Sequence, residues 1–256
     1  MKKMIGLSVL TIFLVGCTGN NGIINTDDHK VTSTPAETET NEQEEEEVVE
    51  ETPLVTEENV FTEGTIEQLV NPAYALSETY EPSDLVLVDL LSTQETYLRS
   101  EAYEALKELF EAANEEGLQL YAVSGYRSYA MQETLYNNYV YQHGQEEADR
   151  FSAKPGTSEH QTGLVMDVSS ESAWFGLSES FEATPEGEFV KNNAHKYGFV
   201  VRYLKGKEDI TGYMYEPWHI RYFGKELAQE LYDSGLTYEE YLENNNISLT
   251  PVSQAK

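Results

Sequence analysis

The residues best suited to do chemistry lie in two short stretches. Ser158-Glu159-His160-Gln161-Thr162-Gly163 leads on to Asp167, and Glu216-Pro217-Trp218-His219 follows later in the chain. Together they supply two imidazoles and a carboxylate, donors of the kind zinc prefers, and a second carboxylate in the same motif as the last imidazole. A catalytic zinc ion takes three protein ligands and keeps a position open for water. A nearby carboxylate that is not a ligand can then take a proton from that water. The pattern points to a zinc hydrolase. His-x6-Asp or Glu-x-x-His alone is a weak signal, but here both occur, each beside Gly or Pro and next to a predicted strand. Cys17 is the single cysteine, so thiolate ligands and an intramolecular disulfide are both excluded. Of the other histidines, His29 lies in a polar N-terminal stretch. His143 and His195 fall on predicted helices among polar neighbours, where solvated surface residues are expected.

These groups need a frame, and the apolar spacing supplies one. The spacing predicts a helix over 97–116, with Ala102, Leu106, Leu109, Phe110 and Ala113 on one face and Gly117 as its stop. A strand follows over 118–123, then a turn at Gly125-Tyr126-Arg127. Ser128 caps a second helix running to about 148. Residues 154–157, Lys-Pro-Gly-Thr, form a loop, and 164–168 a short buried strand. Thr184-Pro185 opens a third helix, with Thr184 as cap and proline in the first turn, and Gly198 ends it. Strands are expected over 199–203 and around His219, Arg221 and Phe223, with a C-terminal helix over 225–233. Gly163 gives the backbone freedom to bring His160 and Asp167 to one point. Glu216 and His219 have an odd spacing that an ideal strand would point to opposite faces, and Pro217 marks an irregularity there. The expected fold is α+β: one small domain with a central antiparallel sheet that carries the zinc site, flanked by helices.

The N-terminus and the charge say where such a domain would work. Lys2 and Lys3 precede an apolar run over 4–15, the form of an export signal, and this run is shorter than the roughly 20 residues a membrane span requires. It ends at Leu14-Val15-Gly16-Cys17, similar to the lipobox of bacterial lipoproteins, in which the cysteine is lipidated and becomes the mature N-terminus. An ordinary secretory signal is the alternative. Residues 17–64 are expected as the lipidated cysteine and an acidic, disordered tether, 65–248 as the catalytic domain, and 249–256 as a tail. The formal charge of -30, from 46 acidic against 16 basic residues, argues against nucleic acid as a partner.

Ser124-Gly125-Tyr126-Arg127-Ser128, the Ser158 to Asp167 stretch and Glu216-Pro217-Trp218-His219, in that order, resemble the VanY-like D-alanyl-D-alanine carboxypeptidases, zinc enzymes that trim peptidoglycan stem peptides. The resemblance implies Zn2+ held by His160, Asp167 and His219, with Glu216 as general base. Arg127 would meet the substrate's terminal carboxylate or the oxyanion, since a guanidinium matches a carboxylate in bidentate fashion. Gln132 and Ser158 match positions that contact substrate, whereas Trp218 is read as a packing residue. The implied activity is release of the terminal D-alanine (D,D-carboxypeptidase). The alternatives are L,D cleavage of a tetrapeptide and a wall-peptide-binding lipoprotein without activity. The partners implied are stem peptides and, through the lipid anchor, the membrane.

Overall fold

The computed structural model describes residues 53–254. The expected export signal, Cys17 and most of the acidic stretch lie outside the described residues. The elements are α1 (Glu57–Phe61), β1 (Leu85–Leu87), β2 (Tyr97–Arg99), α2 (Ser100–Glu115), β3 (Tyr121–Ser124), α3 (Tyr129–His143), α4 (Gln145–Phe151), β4 (Val165–Ser169), α5 (Pro185–Asn193), β5 (Phe199–Val201), α6 (Glu208–Thr211), β6 (His219–Tyr222), α7 (Lys225–Ser234) and α8 (Tyr238–Asn244), with short 3-10 turns between them. β3-β4-β6-β5 form an antiparallel four-stranded sheet, and β1 and β2 pair separately. The fold is the expected α+β arrangement.

The main core lies on one face of the sheet. Leu106, Leu109, Phe110 and Ala113 of α2 pack with Met166 and Val168 of β4 and Ile220 and Tyr222 of β6. Because side chains alternate along a strand, Asp167, His219 and Arg221 are turned to the opposite face. Gly125 closes the first turn tightly: a Cβ there would stand 2.4 Å from the Tyr97 carbonyl.

Several boundaries differ from the pattern, each for a local reason. The first helix starts at Ser100 because Tyr97–Arg99 pairs with β1 in the register Leu85↔Arg99, Val86↔Leu98 and Leu87↔Tyr97. The second helix starts at Tyr129, capped as expected by Ser128, whose hydroxyl accepts from the Met131 amide. It breaks at Gly144, where φ is 83°, in the left-handed region that glycine enters without strain. Thr184 caps α5 by accepting from the Gly187 amide at 3.0 Å, and a 3-10 turn carries the chain on to Gly198. α8 lies beyond the helices the apolar spacing predicts, and Thr237 and Glu240 form a capping box at its start.

The folded body also begins earlier than residue 65. Val55 and Val60 are buried with Leu69 against Leu227, Leu231, Tyr238 and Leu242. Glu57 and Glu58, read as tether, occupy the first turn of α1, where the helix dipole favours acidic groups. In the expected tail, Val252 is buried. Among the described residues no helix is long and apolar enough to cross a membrane.

Candidate active site

The sheet itself brings two site residues together. β4 and β6 are neighbours in its middle, and their register sets Asp167 opposite His219. Directly opposed residues of an antiparallel pair project from the same face, and Asp167 Oδ1 lies 3.2 Å from His219 Nδ1. His160 comes from a 3-10 turn, Glu159–Thr162, that leads into β4. Gly163 ends this turn with φ 67°, and a Cβ there would meet Leu85 Cδ2 at 2.9 Å and Arg99 Cγ at 3.0 Å. The His160 Nδ1 is 2.7 Å from the Gly125 carbonyl, which leaves Nε2 facing Asp167 Oδ2 at 3.4 Å.

The three residues are 3–5 % exposed, and their donor atoms all lie within 4.8 Å of one another. Zinc bonds of about 2.0–2.2 Å in a tetrahedron separate adjacent donors by roughly 3.3–3.6 Å, close to the 3.2 and 3.4 Å seen here. Asp167 Oδ1 is buried with no hydrogen-bond partner. A buried carboxylate oxygen left in this way is costly, and a cation between it and the two imidazoles removes the cost. The donor set therefore fits zinc.

Glu216 joins the group through a turn. The His219 amide donates to the Glu216 carbonyl at 3.2 Å and the Glu216 amide to the Tyr203 carbonyl at 3.2 Å. β6 thus begins only at His219, and Glu-Pro-Trp precedes it outside the strand. Strand alternation no longer applies, and Glu216 Oε2 comes within 3.4 Å of His219 Nδ1. Burial pushes the Glu216 carboxyl up to about 7, with the His219 charge opposing it. Burial works against charge on His219 as well, but the carboxylates of Asp167, Glu159 and Glu216 override it and hold this imidazole at about 9. Asp167 lies well below the usual carboxylate range, because His160 and His219 outweigh its burial. Burial moves His160 toward its neutral form.

Arg127 follows the bulged end of β3, with its amide bonded to the His160 carbonyl at 3.1 Å. Its guanidinium donates to Gln132 Oε1 at 2.8 Å and to Ser124 Oγ at 3.0 Å. Both partners are neutral, and no ion pair to Arg127 occurs among the described residues. A cation aimed into a cleft without a counter-ion suits an anionic substrate group. Gln132, expected to contact substrate, is buried and also donates to the Ala153 carbonyl at 2.6 Å, so its amide holds Arg127 in place. Arg127, Gln132, Ser158, His160, Asp167, Glu216 and His219 all line one cleft of about 450 Å³, with Tyr139, Tyr203 and Tyr213 among its walls. Trp218 is 8 % exposed and joins the core, as expected, while one edge faces the cleft.

Behind the site lies a buried charge network that sequence reading missed. Glu159 Oε1 accepts from Arg202 Nε at 2.9 Å and sits 3.1 Å from Arg221 Nη1. Arg202 also donates to Glu239 at 2.7 and 2.8 Å. The guanidiniums outweigh burial and hold Glu159 well below the usual carboxylate range. The alternation of His219 and Arg221 on β6 was a usable signal for this network, since it turns both toward Glu159. His195 is a correction: it is 5 % exposed, because its ring stacks on Tyr232 at 3.6 Å and 14°. His143 is exposed at the end of α3, as expected.

Known proteins are similar to this chain in sequence and fold. A family profile described as "VanY: D-alanyl-D-alanine carboxypeptidase" matches residues 95–225. The chain is 44% identical over 259 residues to YodJ of Bacillus subtilis, covering 93% of each chain. It is similar to the solved LdcB LD-carboxypeptidase, at 52% identity and TM-score 0.68 over 70% of this chain and 86% of that one. A D,D-pentapeptidase VanY solved with Zn(II) shares 30% identity at TM-score 0.57, over 68% of this chain and 97% of that one. With the donor set found here, that relative identifies the cofactor as zinc. The chain belongs to the VanY family of D-alanyl-D-alanine carboxypeptidases.

Proposed function

We propose that this enzyme removes the C-terminal D-alanine from peptidoglycan stem peptides, with His160 Nε2, Asp167 and His219 Nδ1 as the metal ligands. One observation carries the reading: a three-donor set, a carboxyl raised to about 7 and a guanidinium without a carboxylate partner among the described residues share one cleft. Zinc bound there supplies the positive charge that polarises the scissile carbonyl and acidifies the attacking water.

The chain's own groups do the rest. Arg127, braced by Gln132 and Ser124, receives the terminal carboxylate and fixes the peptide's register. Glu216 takes one proton from the attacking water as the new C–O bond forms. It returns that proton to the leaving nitrogen as the C–N bond breaks, so one water is consumed and one D-alanine is released. Ser158 lines the same wall and would contact the peptide. The wall-binding alternative without activity requires a missing ligand or base, and none is missing from the cleft.

LdcB, a named LD-carboxypeptidase, is 52% identical and the D,D-pentapeptidase VanY 30%. That difference favours cleavage of the L,D bond of a tetrapeptide, with the D,D bond of a pentapeptide as the second reading. The lipobox-like end of the signal supports a lipid anchor at Cys17 and a site of action outside the cytoplasm, facing the wall. The test is incubation of the zinc-loaded protein with stem tetrapeptide and pentapeptide, with free D-alanine followed by mass spectrometry. Release from the tetrapeptide alone supports the L,D reading and release from the pentapeptide alone the D,D one. No release from either refutes carboxypeptidase activity.

A further inference from the structure

We infer that Glu159 is a positioning residue for His219: it holds the imidazole with its N–H on Nε2, toward the carboxylate, so that Nδ1 presents its lone pair to the metal. The inference rests on the ligand set proposed above. His219 Nε2 and Glu159 Oε2 face each other at 3.5 Å. Both atoms are buried, and neither has a hydrogen-bond partner among the described residues, so a proton on Nε2 has this carboxylate oxygen as its facing acceptor. The other ring nitrogen is committed to the metal side, 3.2 Å from Asp167 and 3.4 Å from Glu216. A neutral imidazole carries one N–H and one lone pair, and the partner of one nitrogen decides the role of the other.

Glu159 is itself fixed. Its Oε1 is gripped by Arg202 at 2.9 Å and Arg221 at 3.1 Å, and all three side chains are fully buried. Arg202 is anchored in turn by Glu239, which accepts from Asn71 at 3.1 Å. Arg221 donates to the carbonyls of Ile66 at 2.8 Å and Gln68 at 3.1 Å. Rotation of Glu159 would break contacts to two guanidiniums, so the carboxylate gives the ring a rigid reference.

Glu239 is the control for a purely structural role, since it too is buried and pairs with Arg202, whereas Glu159 also meets Arg221 and alone of the two reaches the ring. The experiment measures zinc affinity, by competition with a chromophoric chelator, and the metal-free thermal midpoint for the full-length wild type, Glu159→Gln and Glu239→Gln. Both variants should melt earlier, but only Glu159→Gln should bind zinc more weakly, by about 10–100-fold. Unchanged zinc affinity in Glu159→Gln, or an equal loss in both variants, overturns the inference. A second reading needs no variant and covers the case in which Glu159→Gln does not fold. In zinc-loaded wild type with nitrogen-15-labelled histidine, the His219 proton should reside on Nε2 and be protected from water exchange. A proton in free exchange overturns the inference. Wild type that binds no zinc would overturn the ligand set and this inference with it. Normal zinc uptake with no difference between wild type and Glu159→Gln would overturn this inference alone.

Discussion

Glu216→Gln separates the base from the ligands. Of the carboxylates around the metal site, Asp167 faces both imidazoles and Glu159 is enclosed by two guanidiniums. Glu216 alone has its carboxyl raised to about 7, near the operating pH, where a general base works best. Glutamine has nearly the same size but cannot take the proton. The turn hydrogen bonds of Glu216 use its backbone, so the substitution leaves them intact. Loss of a general base costs about 10²–10⁴ in rate, or roughly 3–5.5 kcal/mol of transition-state stabilisation at 1.36 kcal/mol per decade. The loss should fall on kcat, because Arg127 still receives the substrate carboxylate. The assay is D-alanine release at saturating peptide, with zinc content measured on the same sample. Near-normal kcat with full zinc occupancy would refute the base assignment. Loss of the zinc would instead make Glu216 a ligand.

Arg127→Ala should lower kcat/KM by about 10–150-fold, the 1.5–3 kcal/mol of a lost charged hydrogen bond, while a substrate ending in an amide should be equally poor for both enzymes. Equal discrimination between acid and amide in wild type and variant would remove Arg127 from carboxylate recognition. Arg202→Met strands the buried carboxylates of Glu159 and Glu239, at a cost of about 3–5 kcal/mol. For a domain of about 200 residues this is a fall of roughly 6–20 °C in the midpoint, read by calorimetry on metal-free protein, and an unchanged midpoint would refute the network's energetic role. Zinc binding should strengthen with pH. Without metal His219 titrates at about 9, so at neutral pH it holds a proton that the metal must expel, and affinity should rise about tenfold per pH unit between 6 and 8. Calorimetry in buffers of different ionisation enthalpy should count at least one proton released, and affinity flat over that range would refute the assignment.

The candidate metal donors, which the fold brings together, were legible because their types are scarce and their neighbours restrictive. His160 and Asp167 flank Gly163, whose positive φ and crowded surroundings leave no room for a side chain. His219 follows a proline turn, and the sheet register then sets it opposite Asp167. Less was legible where short-range pattern and tertiary packing disagree. Tyr97–Arg99 continues the apolar pattern of α2 yet pairs with β1, and His195 has polar neighbours in sequence but an aromatic one in space. Val55 and Val60 are two apolar residues in an acidic stretch, and only the groove beside α7 and α8 shows that they are core.

The roles of the two glutamates show the same limit at the site itself. Each stands beside a histidine of the proposed metal site in the sequence, Glu159 directly before His160 and Glu216 in the turn before His219. As side chains they are identical, so either could serve as a base from its motif alone. What divides them is the charge brought from elsewhere in the fold. Arg202, just beyond β5, and Arg221, on β6, converge on Glu159 and hold it as an anion well below the usual range. A carboxylate stabilised in that way is a poor proton acceptor and a good fixed charge. Glu216 makes no ion pair with a guanidinium among the described residues, and burial, outweighing the pull of the His219 and Arg127 charges, lifts it to about 7, where it can accept a proton and return it. The proposed division between a base and a brace therefore rests on two arginines, one just beyond β5 and one on β6.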